Sequence, residues 1–114
     1  DARTFAHDWI AAWNAHDLDR ILAHYAPHVL LTSPVVIRVT GEPSGTLSGK
    51  DALRAYFHKG LTLFPNLEFT LLEVLQGLSS IVLYYKNQRG THTAEFMEFD
   101  PDGKVFRVVA NYTL

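Results

Sequence analysis

The residues best suited to chemistry in this chain are one glutamate set in an apolar segment and a group of tyrosines. Glu95 stands between Ala94 and Phe96 in the run Thr91 to Asp100. If such neighbours enclose a carboxyl, its ionised form loses water and its pKa rises, by up to about 3–5 units at full burial. A carboxyl tuned in this way donates a hydrogen bond or shuttles a proton near neutrality. In a purely structural role it would instead hydrogen-bond Tyr56 or Trp9 inside a polar cluster. Tyr25, Tyr56, Tyr85 and Tyr112 join apolar rings to hydroxyl tips, which suits either an ordinary core or the wall of a pocket for a largely apolar ligand. Ser33 can bond a ligand oxygen or serve as a local cap before Pro34.

Other catalytic sets are missing. The chain has no cysteine, hence no thiol nucleophile, disulfide or cysteinyl metal site. Of the six histidines, His24 and His28 are four apart, but Pro27 breaks the helix that would align their rings, so no metal site is expected. His58 is the histidine best placed to act at a pocket mouth. The run Gly45-Thr46-Leu47-Ser48-Gly49-Lys50 lacks the glycine spacing and the Ser or Thr after the lysine that a phosphate loop needs. No Gly-x-Ser-x-Gly elbow seats a serine nucleophile. Chemistry here is therefore expected to proceed without a cofactor.

Composition narrows the partners. The 114 residues carry ten basic and twelve acidic side chains, a net charge of −2, and so present no global field for nucleic acid or anionic lipid. No apolar run approaches the roughly 18 residues of a membrane span, and the first residues lack a basic and apolar leader. With cysteine absent as well, a cytoplasmic location is expected. With 47% apolar residues, one domain over residues 1–114 has enough material for a sizeable core.

The elements that must position these side chains follow from periodicity. Phe5, Trp9 and Trp13 recur at the spacing of one helical face, giving a first helix from Arg3 to about Asn14. Asp17 offers an N-cap for a second helix, lined by Leu18, Ile21, Leu22 and Tyr25 and stopped by Pro27. Val29 to Ser33 reads as a short strand, and Pro34 to Gly45 as irregular chain. Ser48 and Asp51 resemble a capping box for a third helix carrying Leu53, Tyr56, Phe57, Leu61 and Phe64.

Beyond Pro65 the pattern changes to four strands, Leu67 to Gln76, Ser80 to Asn87, Thr91 to Asp100 and Lys104 to Thr113, joined as an antiparallel meander. Helices first and strands afterwards give an α+β fold. Alternation turns Ile81, Leu83, Tyr85 and Asn87 toward the helices, because Lys86 belongs in water. It leaves the next strand undecided, since Glu95 and Glu98 lie on opposite sides. The last strand offers Phe106, Val108, Ala110 and Tyr112 on one side.

Trp13-Asn14-Ala15-His16-Asp17-Leu18-Asp19, Ser33-Pro34, Gly49-Lys50-Asp51-Ala52-Leu53 and the Asp100-to-Val105 hairpin resemble the nuclear transport factor 2-like superfamily. Within it they resemble the SnoaL-like polyketide cyclases and ketosteroid isomerases. That resemblance implies a cone-shaped, cystatin-like fold, with a curved sheet wrapped around a long helix and one deep pocket, commonly in a homodimer. Laid residue by residue on this chain, the isomerase oxyanion tyrosine falls on Trp9, the general-base aspartate on Ser33 and the protonated aspartate on Glu95. Indole and serine cannot perform the first two roles, which speaks against steroid isomerisation. The same register turns Glu95 inward, with Tyr25, Tyr56, Tyr85, Asn87, Met97 and Tyr112 as neighbours.

Two functions are carried forward. One is cofactor-independent acid–base catalysis on a small hydrophobic molecule, such as isomerisation, cyclisation or hydration, with Glu95 handling the proton and Trp9 and Tyr56 positioning the substrate. The other is a binding or accessory module without turnover. The outer sheet face mixes Val82, Tyr84, Phe96, Val105 and Val109 with Lys86, Glu98, Arg107 and Asn111, and is expected to pack against a second copy in a homodimer.

Overall fold

The computed structural model describes all residues from Asp1 to Leu114. Helix α1, Ala2–Asn14, is capped by Asp1, whose carboxylate accepts from Thr4 N at 2.8 Å, and buries Ala6, Trp9, Ala12 and Trp13. Helix α2, Leu18–Leu22, is capped by Asp17 as expected but is a single short turn. Strand β1, Tyr25–Thr32, begins earlier than its apolar run suggests, so Tyr25 belongs to the sheet rather than to the second helix.

A further helix, α3, occupies Pro34–Thr40, where irregular chain was expected. Ser33 caps it by accepting from Val35 N at 3.1 Å, Pro34 opens it, and Gly41 ends it at φ 78°, in the left-handed region open to glycine. Strand β2, Thr46–Ser48, forms the sheet edge against β1. Helix α4, Lys50–Leu63, buries Leu53 and Phe57. Its N-cap is Gly49 with no side-chain hydrogen bond, so the capping box expected from Ser48 and Asp51 does not form.

The remaining strands follow the expected meander: β3 Thr70–Gln76, β4 Ser80–Lys86, β5 His92–Phe99 and β6 Val105–Tyr112. The six-stranded order is β2-β1-β6-β5-β4-β3, with β1 parallel to β6 and every other pair antiparallel. This mixed α+β architecture packs α1 against β3 and α4 against β1.

Register grades the inner face of the sheet from apolar to polar. Ile81, Met97 and Val108 are cross-strand partners and wholly packed; the next row is Leu83, Glu95 and Ala110, and the next Tyr85, Thr93 and Tyr112. A bulge where Glu98 gives way to Phe99 shifts the start of β6. Val105 is therefore fully buried and does not belong to the outer face, where simple alternation placed it.

Candidate functional site

The graded face opens into a cavity of about 710 Å³ under α3 and α4. Aromatic packing builds its floor. Trp9 stacks on Phe69 with ring centroids 5.9 Å apart, Phe69 meets Tyr85 at 4.6 Å, and Trp13 lies edge-on to Phe57 at 4.8 Å.

Glu95 enters this cavity from the middle of β5 and is only 7% exposed. Its Oε2 accepts a hydrogen bond from the Tyr85 hydroxyl at 2.6 Å. Antiparallel pairing sets Tyr85 opposite Thr93, diagonal to Glu95, which brings the two side chains within reach. Oε1 has no partner in the chain and is left to the cavity. Burial pushes the carboxyl up to about 7, and the Tyr85 bond opposes that rise only in part. The partner is thus Tyr85, and neither Tyr56 nor Trp9.

A second polar group lines the same cavity. Ser33 Oγ lies 3.4 Å from the Tyr112 hydroxyl and beside that of Tyr56. Burial drives both phenols upward, Tyr112 to about 12, so both remain protonated donors at neutral pH. Ser33 also caps α3, so its local and its ligand-facing roles coexist on one oxygen.

Trp9, Ser33, Tyr56, Tyr85, Asn87, Glu95 and Tyr112 all line the cavity. Tyr25 and Met97 do not. Tyr25 pairs with Val105 at the closed end of the sheet, and its hydroxyl accepts from Trp9 Nε1 at 2.9 Å. That bond removes the indole N–H from the cavity, so Trp9 presents only a ring. Met97 lies one cross-strand row deeper than Glu95, within the solid core. His58 is exposed and lies outside the wall. No three His, Asp or Glu side chains converge as a metal-binding group would.

Arg38, Arg89, Trp13 and Thr93 also line the cavity, and sequence reasoning did not single them out. The signal for Arg38 was the Ser33-Pro34 start and Gly41 stop of α3, which place it four residues on from Pro34.

Comparison with known proteins adds a family. Residues 6–114 match the model described as SnoaL-like domain. A search of curated proteins found no match. The chain is similar to a SnoaL-like protein of unknown function from Burkholderia thailandensis, at 40% identity over 99% of this chain and 94% of that one, with a TM-score of 0.96. It is similar in fold to a nuclear transport factor 2-like protein of unknown function from Cytophaga hutchinsonii, at 10% identity, 99% and 90% coverage and a TM-score of 0.76. The same holds for TerC, co-crystallised with polyporic acid, at 16% identity, 99% and 92% coverage and a TM-score of 0.79. The shared architecture is also described as cystatin-like.

Proposed function

The chain belongs to the SnoaL-like domain family, and from that premise we propose that it binds a small, largely apolar molecule and moves a proton to or from it through Glu95, without a cofactor. One observation carries this reading: a buried carboxyl has one oxygen held by Tyr85 and the other free toward an aromatic-walled cavity. The ionised form takes a proton from a carbon acid on the substrate. The protonated tyrosines Tyr56 and Tyr112, donors beside it on the same cavity, hydrogen-bond the oxygen on which charge then develops. Return of the proton to a different atom gives isomerisation; attack of the carbanion on a carbonyl carbon of the same substrate breaks the C=O π bond, and the alkoxide takes the proton back from Glu95 to give cyclisation.

Proton exchange tests this even while the natural substrate is unidentified. A panel of aryl ketones in D2O, followed by proton NMR, should lose α-hydrogen signal faster with the protein present. Glu95→Gln should slow that exchange by about 10²-fold or more. Exchange that persists in the variant, or a Glu95 carboxyl that titrates near 4 in its carbon-13 spectrum, would sink the proposal.

A second reading, binding without turnover, draws on the commitments of Trp9 to Tyr25 and of Ser33 to the α3 backbone. Ligand binding with no exchange above buffer across the panel would favour it.

We also propose that a second copy covers the outer sheet face. Leu75, Val82, Phe96 and Val109 are successive cross-strand partners there, which draws an apolar row across four strands. Leu75 is 51% exposed, and the row is flanked by the Glu98–Arg107 ion pair. Sedimentation at micromolar concentration should report a dimer that Phe96→Asp dissociates; a natural chain that sediments as a monomer would end this proposal.

A further inference from the structure

We propose that the pocket selects an acid: a ligand with an apolar body on the aromatic floor and a carboxylate held at the mouth by Arg38 and Arg89. This names the ligand class of the site above and rests on the pocket reading given there.

The charge on the cavity wall is the first observation. Its basic side chains are Arg38 and Arg89, and its acid is Glu95. The chain's arginine ion pairs use Arg20, Arg54 and Arg107, which leaves both wall guanidiniums without an anion. A guanidinium presents a planar fork that matches a carboxylate with two parallel hydrogen bonds.

The placement of Arg38 is the second. Pro34, Val35, Arg38 and Val39 line the cavity, a spacing that puts them on one face of α3. Arg38 is exposed while it lines the cavity, which puts it at the mouth. The positive charge of Arg38 also reaches the Tyr56 and Tyr112 hydroxyls, whose upward shifts it opposes.

The support beneath Arg89 is the third. Asn87, 7% exposed, accepts from Arg89 N at 3.0 Å and from Thr91 Oγ1 at 3.2 Å, and donates to Thr93 Oγ1 at 3.0 Å. A buried amide thus fixes the β4–β5 turn from below and sets the backbone of Arg89 at the rim.

Calorimetry with a matched pair, 2-naphthylacetic acid and 2-naphthylacetamide, separates charge from shape. At about pH 6 the acid is ionised. It should bind about tenfold or more tightly than the amide, and the difference should shrink in about 0.5 M sodium chloride. The Arg38→Gln/Arg89→Gln double variant should lose far more affinity for the acid than for the amide and bring the ratio to about one. Equal affinities in the natural protein overturn the acid preference and leave the pocket reading intact. A preference that survives in the double variant overturns the assignment to these arginines. Failure of both probes to bind in the millimolar range overturns the preference and the pocket reading together.

Discussion

Strand β5 carries two glutamates three residues apart, and the sheet gives them opposite surroundings. Glu98, on the outer face, meets Arg107 at 2.8 Å, with side-chain exposures of 31% and 52%. Glu95, on the inner face, meets no cation and accepts from one phenol in an aromatic-walled cavity. Water and a guanidinium surround the first. The second is kept where its charge is penalised, although a buried carboxyl is normally compensated by a paired cation. Stability alone does not account for that choice; the proton-handling role proposed above would.

The widest gap between the two is their effect on stability against pH. The Glu95 carboxyl is raised from 4.5 to about 7 in the folded state. Between those values the folded chain holds a proton that the unfolded chain has released, so stability is full below the lower value and is lost as pH rises through the upper one. About 2.5 pH units correspond to about 3 kcal/mol. Glu95→Gln removes that dependence. In urea titrations, the stability of Glu95→Gln relative to the natural chain should therefore rise by about 3 kcal/mol between about pH 4 and about pH 8.5. Curves for Glu95→Gln and the natural chain that run parallel over this range would abolish the contrast.

Tyr85 sharpens the comparison at the next magnitude down. Its hydroxyl stabilises the ionised form of Glu95 across 2.6 Å, and this is the one influence that lowers the carboxyl's pKa. A hydrogen bond to a charged group contributes about 1.5–3 kcal/mol. Tyr85→Phe should accordingly move the Glu95 titration upward by about one unit or more, read from the carbon-13 shift of its carboxyl. A downward move would mean that Tyr85 does not hold the anion.

Part of this contrast is legible in the residue pattern alone. The alternation Ile81, Leu83, Tyr85, Asn87 has a single charge, Lys86, to point outward, and all four are buried. The Asp100 to Gly103 reversal is equally legible, because Asp100 Oδ1 accepts from both Asp102 N and Lys104 N at 2.9 Å, a local bond pattern. The direction of Glu95 is not legible from parity, since β5 offers one glutamate to each side and only pairing with β4 and β6 decides between them. Short elements hide as well. α3 is seven residues rich in β-branched side chains, and the three-residue β2 exists through its pairing with β1. Missing α3 conceals Arg38, and assigning Tyr25 to a helix places a closed-end tyrosine in the cavity. For Tyr25 the decisive contacts lie far along the chain, with Trp9 and with Val105.

The outer pair supplies the smallest effect and the control for the rest. Arg107 donates to Glu98 across adjacent strands, and its guanidinium carbon also lies 5.9 Å from the centre of the Phe96 ring. Exposed ion pairs contribute about 0–1 kcal/mol, and a cation over an exposed ring about 0.5–1 kcal/mol. A double-mutant cycle of Glu98→Gln and Arg107→Gln in the Phe96→Asp background, at low protein concentration, isolates the pair from self-association. Its coupling energy should stay below about 1 kcal/mol and fall further in about 0.5 M salt. A coupling as large as the pH-dependent effect at Glu95 would mean that the outer carboxyl, too, depends on its fixed surroundings. The distinction between a solvated glutamate and a sequestered one would then no longer separate the two faces of β5.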